Sequence, residues 1–147
     1  MGQEDVLFNR EEIARVEYAQ PNYKVNSLLS YEFGKFRLQM VNTLFGEVKF
    51  VHPDDGDQAN WLLNDFTGNV ESRDQTFSPK LTTDLAVSYQ IHDYIKCTLG
   101  GNNIFKIYSD RHKHSANTNN GNFIYSRRVQ QFGVNGVNYY LRVLLKL

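Results

Sequence analysis

The sequence predicts an all-β fold, an antiparallel up-and-down meander of long strands that forms part of a transmembrane β-barrel. Three observations point there. Apolar and polar residues alternate with period two along five separate segments, the pattern of strands with two unlike faces. Every charge on those segments (Lys24, Glu32, Lys35, Arg37, Glu47, Lys49, Lys80, Asp84, Lys96, Arg142 and Lys146) falls on the polar side. The connections run tight, long, tight, long, the asymmetry of membrane barrels with short turns on one side and long loops on the other.

Composition agrees. The chain has 147 residues, with ten Phe, nine Tyr and only three Pro, which suits one β-rich domain. Formal charge is zero, so nothing electrostatic calls for a nucleic acid. Cys97 is the single cysteine; it excludes an internal disulfide and leaves the compartment open. Met1-Gly2-Gln3-Glu4-Asp5 is acidic with no apolar core after it, unlike a secretory signal, and no run long enough for a membrane helix follows. The expectation is either a cytoplasmic protein or a piece whose N-terminal part is missing. Low mean hydropathy does not exclude a membrane barrel, because half of each strand faces a polar lumen.

Taken in order, residues 9–20 are the one expected helix, with Asn9 as N-cap, Glu12 completing a capping box and Pro21 ending it. Residues 23–33 alternate with Tyr23, Val25, Leu29, Tyr31 and Phe33 on one side. Gly34-Lys35 forms a tight reversal, after which Phe36, Leu38, Met40, Leu44, Val48 and Phe50 continue the apolar side. Residues 52–78 form a long polar connection around the island Trp61-Leu62-Leu63, which is expected to pin the loop. Leu81, Leu85, Val87, Tyr89 and Ile91 mark the cleanest strand. His92-Asp93 turns it into Ile95, Cys97 and Leu99, and a second long segment, 106–128, leads to the last strand. That strand, residues 133–147, puts Val137, Tyr139, Leu141, Val143, Leu145 and Leu147 on one face. Its length far exceeds the usual strand of about 5–6 residues and satisfies the 9–11 or so needed to cross a bilayer.

Facing alone does not identify lipid, since a soluble sheet on a core shows the same alternation. Five long strands also fall short of the eight or more of single-chain bacterial outer-membrane barrels. The chain is therefore expected to be the C-terminal portion of a larger barrel. The alternative is a soluble lipocalin-like barrel of eight shorter strands around a small apolar ligand. A break near Asn42-Thr43 or Gly100-Gly101 would favour that alternative.

From Gly100-Gly101-Asn102-Asn103-Ile104-Phe105-Lys106-Ile107-Tyr108 the sequence resembles the G-x-N-N-L-F-x-x-x-Y pattern near the end of TonB-dependent outer-membrane receptors, with Ile104 where Leu is usual and Tyr108 one position nearer Phe105. Thr83-Asp84-Leu85-Ala86-Val87-Ser88-Tyr89 and residues 117–147, including Tyr125-Ser126-Arg127-Arg128, are also similar to that family in its Bacteroidetes form. The likeness runs from about Asn9 onward. It implies a 22-stranded barrel with an N-terminal plug in the outer membrane of a Gram-negative bacterium. Such a protein imports iron chelates, vitamins or other nutrients with energy passed from the TonB complex. The plug and the earlier strands are not in this sequence. The implied partners are outer-membrane lipid, a small nutrient ligand such as an iron chelate, TonB through the missing plug, and the barrel-assembly machinery. That machinery would read the last strand through Tyr139, Leu141, Val143, Leu145 and Leu147, where Leu147 replaces the family's usual terminal Phe. Within the motif, Gly100, Asn102, Asn103, Phe105 and Tyr108 carry a physical reading of their own. Glycines permit close backbone approach or a bulge, Asn bonds turn backbone, and the two aromatics suit an interfacial girdle.

Candidate ligand contacts lie on the long segments: Trp61, Arg111, His112, His114, Arg127 and Arg128. His112-Lys113-His114 beside Asp110 offers imidazoles to a metal, but no third ligand is fixed by spacing, and solvated loop is the expected role. Arg127-Arg128 could attract an anion, against the ordinary reading of surface salt bridges. Asp54-Asp55-Gly56-Asp57 lacks the closing Glu of a calcium loop and reads as a turn. No nucleophile motif, phosphate loop or zinc spacing is present. No enzyme, resident metal or cofactor is expected.

Overall fold

Period-two alternation lays the chain into strands, and the strands gather into two units. The computed structural model describes residues 10–52 and 61–146. Within them a sheet unit takes in 24–44, 80–108 and 135–146, and a loop unit takes in 10–23, 45–52, 61–79 and 109–134. The elements are helix α1 (Arg10–Glu17), β1 (Lys24–Phe33), β2 (Phe36–Phe45), β3 (Val48–Phe50), β4 (Trp61–Asn64), β5 (Asn69–Ser72), β6 (Gln75–Phe77), β7 (Lys80–His92), β8 (Ile95–Asn102), a 3-10 turn (Ser115–Thr118) and β9 (Asn138–Leu145). Asn9, the Asp54 to Asp57 run and Leu147 lie outside the described residues.

Five strands form one antiparallel sheet in the order β1-β2-β7-β8-β9. This is the expected meander, with β3 to β6 as an excursion between β2 and β7. The sheet is open, with β1 and β9 as its edges, and no closed barrel is formed. Four of its strands, of 10, 10, 8 and 8 residues, are shorter than their alternation predicts, and only β7, with 13, reaches its expected length. The last begins at Asn138, opposite the end of β8 at Asn102. Residues 133–137 are not strand; there Gly136 lies against the Tyr108 hydroxyl. β2 stops at Phe45 because Gly46 turns its N–H to the Tyr23 carbonyl at 2.9 Å and its carbonyl to Gln131 Nε2 at 2.6 Å. Alternation resumes at Val48 and Phe50, but against β6 rather than β7. Neither break that would have marked the soluble alternative occurs, since β2 runs through Asn42-Thr43 and β8 through Gly100-Gly101.

Register confirms the two faces. Val87, Leu99 and Leu141 form one cross-strand row, Tyr89, Cys97 and Val143 the next. On the other face run Ser88, Thr98 and Arg142, with Ser88 and Thr98 hydroxyls bonded at 2.8 Å. β1 is exposed on both faces and β9 nearly so, and full burial in the sheet falls on polar side chains. The buried side chains of this unit are Thr83, Ser88 and Asn103, while Val87 is 40% and Leu141 68% exposed. Gly100 and Gly101 allow a close approach, not a bulge: the rings of Tyr140 and Tyr139 lie over them, so a Cβ at either position would meet a ring.

The loop unit has an ordinary core. Val48, Phe50, Phe77, Val129 and Ala19 are buried together, and β3 and β6 align Val48 with Phe77. The segment 52–78, expected as a polar loop, thus contains the antiparallel pair β4 with β5 and also β6, which pairs with β3 from the end of the expected second strand.

Candidate functional site

The loop unit is stitched by side chains that act as substitute backbone. Gln75 donates to the Arg111 carbonyl at 2.8 Å and accepts from the Lys113 N–H at 3.0 Å, extending β6 with a stretch that has no strand of its own. Asn64, fully buried, donates to the Lys113 carbonyl at 2.9 Å and accepts from the Ser115 N–H at 3.0 Å. Asn117 donates to the Arg73 carbonyl at 2.7 Å, and Asp110 accepts from both the N–H and the hydroxyl of Ser78. These bonds satisfy polar groups that would otherwise be costly to bury. Glu71 accepts from Thr67 and Asn64, and these bonds hold its carboxyl below the usual range.

The stitching leaves a cleft of about 180 Å3 in this unit, lined by Phe50, His52, His112, Asn117, Phe123, Tyr125 and both Arg127 and Arg128, with no carboxylate in its wall among the described residues. Arg73 Nη1 donates to His52 Nε2 at 2.9 Å, which requires that nitrogen to be unprotonated. The His52 N–H donates to Asp74, which is also paired with Arg10. His112 sits with its ring edge-on to Phe50 and Phe77, each at 6.2 Å. Burial pushes its imidazole below the ordinary value, and its Nδ1 is buried without a hydrogen-bond partner. The Arg127 guanidinium stacks on Phe123 with Cζ 3.9 Å from the ring centroid. Arg128 pairs with Glu11 of α1.

Of the residues singled out in the sequence, His112, Arg127 and Arg128 meet at this cleft. His114 does not. It is buried, its Nε2 bonds the Leu62 carbonyl at 3.1 Å and its Nδ1 accepts from the Ala116 N–H at 3.1 Å, capping the 3-10 turn. With both nitrogens engaged, it is a structural histidine, and the two imidazoles of the H-x-H pair do not converge. Among the described residues no three His, Cys, Asp or Glu side chains gather as a metal site. Trp61 and Arg111 are exposed and lie off the cleft. Nor does the Trp61-Leu62-Leu63 island pin its loop by apolar contact, since all three are exposed; the hairpin is held instead through Asn64 and the Leu62 carbonyl. Phe50, His52, Asn117, Phe123 and Tyr125 were not singled out as ligand contacts, since Phe50 reads as the apolar side of a strand, Tyr125 as part of the family likeness, and the other three carry no motif signal.

The family motif acts in the sheet unit. Asn103 adopts φ 48°, takes Asp84 as acceptor for its N–H at 2.7 Å, and closes the following loop by bonding both the N–H and carbonyl of Ile107. Asn102 ends β8 opposite Asn138. Phe105 is exposed and Tyr108 about half so. No protein-family model matches the chain, and neither a curated protein nor a solved structure is significantly similar to it.

Proposed function

We propose that the chain is the C-terminal barrel segment of a TonB-dependent outer-membrane transporter that imports a small nutrient. The observation that carries this reading is the sheet with its apolar face exposed. Its exposed apolar rows, Val87-Leu99-Leu141 and Tyr89-Cys97-Val143, carry no charge, while its buried side chains are polar. In water an uncovered face of this kind is unfavourable by about 25 cal/mol per Å2; against acyl chains it is at no disadvantage. The apolar stretch of β9 from Tyr139 to Leu145 spans about 20 Å at ~3.4 Å per residue, close to the roughly 25 Å band of a membrane barrel. Tyr31, Phe33, Phe36 and Tyr94 lie toward the tight-turn end of the sheet, Tyr139 and Phe105 toward the other, as aromatic girdles require. The tight Gly34-Lys35 and Asp93-Tyr94 turns suit the periplasmic side, and long connections the outer side.

In the whole transporter the open edges of β1 and β9 would pair with further strands, TonB would act through a plug, and the assembly machinery would engage the last strand. Two measurements test this. The DNA adjoining the codon for Met1 should encode a plug and preceding strands, and the isolated chain should require detergent. Sedimentation as a compact monomer in plain buffer would overturn the reading.

A further inference from the structure

We propose that the cleft of the loop unit binds a small organic anion, a carboxylate or phosphate carried on a ring-sized body. A volume of about 180 Å3 holds about six waters at ~30 Å3 each. It has room for one substituted ring. Among the described residues its wall presents two guanidiniums and no carboxylate. Arg128 is already matched by Glu11; Arg127 has no carboxylate partner among the described residues and meets only the Phe123 ring. That stacking fixes the plane of the guanidinium and leaves its edge N–H groups for a planar oxyanion, the geometry in which arginine outperforms lysine. Phe50, Phe123 and Tyr125 supply the apolar surface for a ring. His112 Nδ1, buried without a partner, is a polar atom whose lost hydrogen bond a ligand group could restore after a small ring rotation. Every lining residue belongs to the loop unit, so the inference stands independently of what covers the sheet.

The test uses the full chain folded in detergent. It is titrated at neutral pH with 4-hydroxybenzoate, inorganic phosphate and uncharged 4-hydroxybenzamide, while the NMR signals of the His112 ring and the Arg127 Nε–H are followed. Either anion should shift both signals to saturation, and the preferred one identifies the group. The amide should bind about tenfold more weakly or worse, and Arg127→Gln should lose a similar factor. Arg127→Lys should retain part of the affinity, and Arg111→Gln, off the cleft, all of it. Equal binding of amide and carboxylate overturns the proposal, as does wild-type affinity in Arg127→Gln. So does the absence of any shift at about 10 mM anion, well above a millimolar Kd. A loop unit whose His112 and His114 signals are not dispersed overturns the geometry on which the proposal rests.

Discussion

In the loop unit Val48, Phe50, Phe77 and Val129 are withdrawn from solvent around a stitched polar framework, whereas in the sheet unit Thr83, Ser88 and Asn103 are buried and the apolar side chains stand outward. The same alternation therefore leads to opposite outcomes in one chain. Phe36 to Leu44 and Val48 to Phe50 share an even-numbered apolar phase interrupted at Asn42, yet the first part is exposed at Phe36 and Leu38 and half-buried beyond, while the second becomes core. Alternation specifies that a strand has two faces; the partner strand and the medium decide which one is hidden.

The sharpest way to break this comparison is truncation in the loop unit. Phe77 is fully buried, so Phe77→Ala should cost about 3–5 kcal/mol, read as a loss of loop-unit protection in hydrogen exchange. A cost below 1 kcal/mol would mean that the core is not packed as described. Next comes charge on the sheet. Leu85→Arg in lipid should cost about 2–4 kcal/mol, while Arg at Asn138, on the polar face and exposed, should be tolerated. Leu85→Ala should cost less than a cavity-type penalty, because acyl chains fill the space. A full penalty of about 2–5 kcal/mol for Ala would assign Leu85 to a protein core.

The smallest effect expected is on pH dependence. Burial holds the His112 imidazole below its ordinary 6.5, so on acidification the unfolded chain takes up that proton first. The stability it contributes is full above about pH 6.5 and falls as pH drops through the folded value. His112→Phe should flatten the loop unit's stability profile below pH 6.5 relative to the wild type; an unchanged slope would remove His112 as its source.

The five-stranded order and both tight turns were legible because each rests on local signals, alternation in the strands and Gly34 with φ 56° in the first reversal. Strand ends were not. Gly46 and Asn138 mark limits set by distant partners, Gln131 and Asn102, which no window around either residue contains. Helix α1 was read two or three residues too long at its end, where Ala14 and Tyr18 close the last turn. The cleft was half legible: Arg127 and Arg128 stand out as a charged pair, and His112 within its H-x-H. His52 is held by the Arg73 side chain, and Asn117 and Ser126 bond backbone, contacts that leave no trace in composition. His114 misled because one residue type serves both as ligand and as cap.

The central claim, that the apolar face of the sheet takes hydrocarbon, is tested most directly by two adjacent tryptophans. With Trp61 replaced by Phe, Leu141→Trp and Arg142→Trp place an indole on opposite faces of β9. In micelles of a detergent brominated along its alkyl chain, fluorescence of the Leu141→Trp protein should be strongly quenched and that of the Arg142→Trp protein little changed. Equal quenching of the two, or none at position 141, would contradict it.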